Sequence, residues 1–228
     1  ATLAQARRGV VYRAVDEENG ETCCLRLFDR SAKFDWHPVP EHLGIVARHG
    51  TGEIRGVPFG AYDLVVAPTL AHAGGAAADV LPVLLRTVGA LQHHGLVHGH
   101  VRANNLFMIP GRGPVIADYG LATGGSDLKS YLPLLAVLAP ERLASVREAD
   151  RSTDMYGIGV IGYELLTGRL PFDPSMRQRQ LVRAVVEEMP PRPPGPPHLV
   201  ELVMALLEKS PAARPTADEA MERSLPRL

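Results

Sequence analysis

Apolar residues follow two different spacings along this chain. Up to about residue 67 they fall in short β-forming runs at residues 10–15, Thr22–Phe28, 45–49 and 62–67. Asn19-Gly20 supplies the positive backbone angles of a tight hairpin between the first two runs, and Gly50, Gly52 and Gly56 read as turns between the later ones. The pattern predicts an antiparallel meander. Between Phe28 and Leu43 little is helical, because Pro38 and Pro40 oppose it, and at most a short turn fits residues 30–34. After Gly74-Gly75 the spacing becomes helical: Val80, Leu81, Leu84, Leu85, Val88 and Leu91 recur on one face and stop at Gly95. A loop with short strands covers residues 98–117. Residues 153–166 predict a second helix, buried all round because Ile158-Gly159-Val160-Ile161-Gly162 has no polar face. An amphipathic helix at 175–188, a stiff proline connector at 190–197, a helix at 199–207 and a last helix at 216–223 complete the series. Thr216 caps that last helix, with Glu219 in the third position. Strands first and helices after imply an α+β fold of two lobes.

Composition narrows the function classes. A net charge of −1 gives no electrostatic reason for a nucleic acid or an anionic membrane as partner. No apolar run is long enough to span a bilayer, so direct membrane insertion is not expected. Cys23 and Cys24 are adjacent and point to opposite strand faces, which suits two reduced thiols in the cytoplasm better than a bridge. The histidines form neither H-E-x-x-H nor a Cys/His cluster, so no metal site of those types is expected. The chain opens at Ala1 without an initiator methionine, which suggests a segment of something longer.

Chemistry enters at His98-Gly99-His100-Val101-Arg102-Ala103-Asn104-Asn105, which has the length and frame of H-R-D-x-K-x-x-N. Other landmarks stand in order around it. They are Gly9-Val10-Val11-Tyr12, Leu25-Arg26-Leu27, Asp118-Tyr119-Gly120, Ala139-Pro140-Glu141, Asp154-Met155-Tyr156-Gly157-Ile158-Gly159 and Arg214-Pro215. Each alone is weak; in this order the chain resembles a bacterial Ser/Thr protein kinase domain of the eukaryotic type. Small-molecule phosphotransferases, such as aminoglycoside kinases, often read H-G-D in the same loop, and Gly99 fits them. The A-P-E triplet, the Asp154 helix and Arg214 resemble the protein kinases instead, and His100 departs from both patterns. The resemblance implies one protein-kinase-like domain over residues 1–228. It has a β-rich small lobe at 1–67, a hinge at 68–75 and a helical large lobe at 76–228, with helix C reduced or missing.

The resemblance assigns roles position by position. Ala4, Ala6 and Gly9 stand in the register of the Gly-rich phosphate loop, with Arg7 and Arg8 at its tip. Arg26 replaces the lysine of the third strand, and its planar head cannot act as the same point charge. Glu41 is the nearby glutamate in the region of helix C, but it lies in a Pro-rich loop. Val66 and Ala67 belong to the adenine-side connection at 66–70. His100 occupies the place of the catalytic aspartate, Gly99 that of the preceding arginine, and Arg102 that of the lysine that steadies the transferred phosphate. Asn105 and Asp118 match the Mg²⁺ ligands, and their oxygen atoms suit that hard cation. His98, Asp154, Glu141 and Arg214 match scaffold residues, the last two a buried ion pair. Thr123, Ser126, Ser130 and Tyr131 are the hydroxyls of a short activation segment, which has no arginine at position 99 to order a phosphate.

Losing a general base alone costs roughly 10²–10⁴ in rate. The altered positions therefore predict a catalytically inactive domain, a pseudokinase with no expected catalytic residue. It would regulate or scaffold through protein partners, in the cytoplasm or attached to a membrane protein. No cofactor is expected beyond weakly held ATP and Mg²⁺. The alternatives are a slow ATP-dependent protein kinase using His100 and Arg26, or a nucleotide sensor without turnover.

Overall fold

The computed structural model describes residues 2–6, 9–30, 38–119, 134–144 and 149–226. Arg7, Arg8, the short turn expected at 30–34 beyond its first residue, Gly120 and the four activation-segment hydroxyls lie outside the described residues.

The small lobe is one antiparallel sheet. Its strands are β1 (Thr2–Ala6), β2 (Gly9–Val15), β3 (Thr22–Phe28), β4 (Arg48–Ile54) and β5 (Val57–Asp63), in the order β1-β2-β3-β5-β4. The expected β2–β3 hairpin forms with Val15 opposite Thr22, but over a longer loop at residues 16–21 in which Gly20 turns at φ 74° and Asn19 takes no positive angle. Gly9, at φ 139°, lies so close to β3 that an added Cβ would stand 1.8 Å from the Leu27 carbonyl oxygen. Strand packing alone therefore demands glycine there.

The later strands differ from expectation. The run at 45–49 becomes a strand only from Arg48, and that strand continues through Gly50 and Gly52 to Ile54. The run at 62–67 is a strand only to Asp63, because β5 begins earlier, at Val57. Gly52 is not a turn residue. It stands opposite Phe59 in the ladder, where a Cβ would meet the Phe59 ring at 2.9 Å. The turn is Arg55-Gly56, both with positive φ, as a tight hairpin requires.

Residues 44–47 strap the two lobes together. Val46 N–H donates to the Ile116 carbonyl (3.0 Å), Ile116 N–H to that of Gly44 (2.7 Å), and Asp63 N–H to that of Ala47 (3.0 Å). The described residues between Phe28 and Arg48 contain no helix.

The large lobe starts with α1 (Leu70–Ala73) and α2 (Ala77–His93), then a 3₁₀ turn at Ala103–Asn105 and the hairpin β6 (Leu106–Ile109) and β7 (Gly113–Ile116). It continues with α3 (Pro140–Ala144), α4 (Arg151–Thr167), α5 (Gln178–Glu187), α6 (Pro197–Leu206) and α7 (Ala217–Ser224). Leu85 and Val88 of α2, Ile158 of α4, and Leu202 and Val203 of α6 lie fully inside one core. The α4 apolar run is buried as its composition predicts. Asp150 and Thr153 form a capping box at its start, and Thr216 and Glu219 form another on α7. The proline connector delivers Pro197 to the first position of α6, where a missing N–H costs nothing.

Gly157 brings α4 against the loop at residues 98–102. A Cβ there would meet the Val101 carbonyl oxygen at 2.5 Å. Gly157→Ala should cost about 1–3 kcal/mol by overpacking. Urea unfolding should show a lower midpoint with an unchanged slope.

Candidate functional site

The loop at residues 98–105 is built on one buried carboxylate. Asp154, in the first turn of α4 and 1% exposed, accepts from the His98 N–H (2.8 Å) and the Gly99 N–H (2.6 Å). Burial pushes its carboxyl up to about 7, against the pull of those two donors. Gly99 takes φ 70°, a left-handed backbone angle that glycine adopts readily. His100 N–H then donates to Nδ1 of His98 (3.1 Å), so His98 carries its proton on Nε2 and donates it to the Ala117 carbonyl (2.8 Å). Full burial holds the His98 ring pKa down at about 4.

The β6–β7 hairpin brings the other predicted groups to the same end. Ala117 N–H donates to the Asn105 carbonyl (2.9 Å), so the residues flanking the hairpin are neighbours and Asp118 follows at once. Asn105 is buried. Its Nδ2 donates to the His100 carbonyl (2.9 Å), and its Oδ1 accepts from Arg102 Nε (3.3 Å). His100 is thus fixed through its backbone on both sides.

Arg26, 5% exposed on β3, forms an ion pair with Asp118. It stands 5.3 Å from the centroid of the Phe28 ring. Glu41 is exposed in the strand-free stretch before Leu43, and Asp118 is the carboxylate that meets Arg26. Sequence reasoning did not find this pairing, since 92 residues separate the two.

It also passed over two aromatic residues. Tyr119 donates its hydroxyl to the Val46 carbonyl (2.9 Å) and meets the Tyr62 ring edge-on at 6.0 Å. Burial pushes the Tyr62 phenol up to about 12. Tyr119 was legible as the middle of the D-Y-G triplet. Tyr62 carried no local signal beyond its place in a strand.

Other predicted residues lie further out. Gly9 pairs with Phe28 in the β2–β3 ladder, Ala6 stands opposite Gly9 across β1–β2, and Ala4 stands opposite Val11. Val66, 89% exposed, and Ala67 lie on the connection between β5 and α1. Cys24, beside Tyr62 in the ladder, has its thiol pushed up by burial. Among the described residues no group of His, Cys, Asp and Glu is arranged to hold a metal ion. No described helix is long and apolar enough to cross a membrane.

Glu141 of α3 and Arg214, before α7, form the expected buried pair. Arg214 Nη1 and Nη2 donate to the two Glu141 carboxylate oxygens (2.8 and 2.7 Å), Nε donates to the Glu208 carbonyl (2.8 Å), and the side chain is fully buried. Thr153 adds a hydroxyl to Glu141 (3.2 Å), tying the pair to α4.

Removing one partner strands the other charge, so Arg214→Ala should cost about 3–5 kcal/mol in urea unfolding. The apolar double variant Glu141→Leu with Arg214→Met should recover part of that loss.

His98 makes stability depend on pH. Its folded pKa lies below the unfolded value of 6.5, so its contribution is complete above pH 6.5 and is lost as pH falls towards 4. The advantage of the native chain over His98→Gln should shrink by about 3 kcal/mol across that window. Urea unfolding at a series of pH values measures it.

A family model described as "Protein kinase domain" matches residues 68–225. A probable serine/threonine-protein kinase pknA2 of Bifidobacterium longum is 29% identical over 219 residues, covering 82% of this chain and 28% of its own length. Serine/threonine-protein kinase PknA of Mycobacterium tuberculosis is 31% identical and covers 60% of this chain, with 33% of its own length matched. Serine/threonine-protein kinase Pkn1 of Myxococcus xanthus is 33% identical, also over 60% of this chain and 20% of its own length. The chain thus spans about a third or less of these relatives. The expectation of a non-enzyme is corrected by them: the relatives are named as serine/threonine-protein kinases, which points to an enzyme. The antiparallel small lobe, the helical large lobe, the loop held on Asp154 and the Glu141–Arg214 pair agree with the family match, and the chain belongs to the protein kinase domain family.

Proposed function

We propose that this domain is a slow, unconventional ATP-dependent protein kinase that transfers phosphate to a protein hydroxyl. The observation that carries the reading is the fixed backbone of His100, held by His98 on one side and Asn105 on the other. An imidazole nitrogen can accept a proton, although it brings no negative charge to orient the acceptor.

The donor chemistry fits ATP with Mg²⁺. Asn105 offers an amide oxygen and Asp118 a carboxylate, both hard ligands, at one end of the β6–β7 hairpin. These two residues would hold the cation, which neutralises charge on the transferred group when bound. Arg26 and Arg102 supply the fixed positive charge near it.

Typical kinases turn over at roughly 1–100 s⁻¹, and loss of the aspartate base removes roughly 10²–10⁴. The expected rate is therefore on the order of 10⁻⁴–1 s⁻¹. Labelled ATP with a generic protein acceptor measures it. Transfer should disappear in both His100→Ala and Asp118→Ala. Transfer that survives His100→Ala removes the imidazole from the mechanism, and no transfer by the native chain rejects the reading.

A further inference from the structure

Arg26 and Asp118 belong to different lobes, one on β3 and the other just after the β6–β7 hairpin. Arg26 Nη1 donates directly to Asp118 Oδ1, and the side chains are 7% and 36% exposed. Arg26 Nε is buried and has no hydrogen-bond partner among the described residues. Asp118 sits at φ 65°, a backbone region that residues other than glycine rarely adopt. A buried guanidinium, an unmet donor on it and an uncommon backbone angle accompany this one contact. Each has a cost, so the pair is held in place by what surrounds it.

The two groups have separate tasks in the proposed reaction, one towards phosphate and one towards the cation. Here they neutralise each other. A lysine carries a compact ammonium, whereas arginine's longer planar fork matches a carboxylate and binds it strongly. Resting on the ATP reading above, we propose that the Arg26–Asp118 pair is an autoinhibitory latch. Without nucleotide, the guanidinium occupies the cation's place on Asp118 and ties β3 to the large lobe. Polyphosphate draws Arg26 away and leaves the carboxylate to the cation, so nucleotide and cation share the cost of one opening.

Two measurements on the full chain test the latch. The first is amide hydrogen exchange without nucleotide. Asp118→Asn keeps the shape and removes the charge, and should speed exchange at least tenfold in Thr22–Phe28 and in residues 117–119. Arg26→Lys, a second route to the same opening, should speed the same segments. The second is calorimetric titration of ADP in EDTA, where no cation competes. Asp118→Asn frees Arg26 for phosphate and should tighten ADP at least tenfold over the native chain. Unchanged exchange in both variants overturns the latch, whatever ADP does. Faster exchange with an unchanged ADP affinity leaves an ion pair that only braces the lobes and also overturns the latch, whereas no ADP binding by any variant rejects the ATP reading on which the latch rests.

Discussion

Asp154 gives both carboxylate oxygens to backbone amides of a loop more than fifty residues earlier in the chain. Those amides would otherwise be buried donors without partners, which proteins rarely tolerate. Everything else in the site is referenced to that contact. It fixes His98, whose ring joins the loop to Ala117, and it sets the turn at Gly99 that precedes His100. Because Asp154 rides on a helix that is buried from Thr153 to Tyr163, the loop inherits the rigidity of the core. Gly157, one turn on, lets the loop backbone come close enough for the bonds to form.

The scaffold and the expected reactive positions answer to different physical constraints. Glu141 and Arg214 keep a pairing in which the guanidinium is satisfied on every side. A buried charge cannot lose its partner cheaply, so both residues stay or both must go. Reactive groups at a cleft face no such constraint. His100 stands where the resemblance expects an aspartate and Arg26 where it expects a lysine, while the core of the large lobe is closely packed. Intact packing is therefore poor evidence about turnover, and altered chemistry is equally poor evidence against it. The inactive reading took the missing carboxylate as decisive, and the relatives' names point the other way, to an enzyme.

The connection between lobes is made differently from what the order of motifs suggests. Arg26 finds Asp118 across the cleft, not a glutamate on a neighbouring helix. Residues 44–47 bond to β5 on one side and to β7 on the other, so a short extended strap links sheet and hairpin. Tyr119 closes the same junction by reaching the Val46 carbonyl and the edge of Tyr62.

Sequence alone determined the elements whose cause is local. Helical spacing marked α2 and α6, the capping residues marked the start of α7, and Asn19-Gly20 marked the first hairpin. Motif order singled out His98, Asn105, Asp154, Glu141 and Arg214, and in the structure their side chains meet backbone groups or an opposite charge. Tertiary structure decided what depends on distant partners. Gly52 resembles a turn residue until the Phe59 ring is seen opposite it. The strand at 45–49 shifts towards Ile54 because its pairing is set by β5 and not by its own β propensity. Arg26 has the same residue type whether it faces solvent, phosphate or carboxylate. Only the approach of the two lobes gives it Asp118, and no local pattern encodes a contact between groups so far apart along the chain.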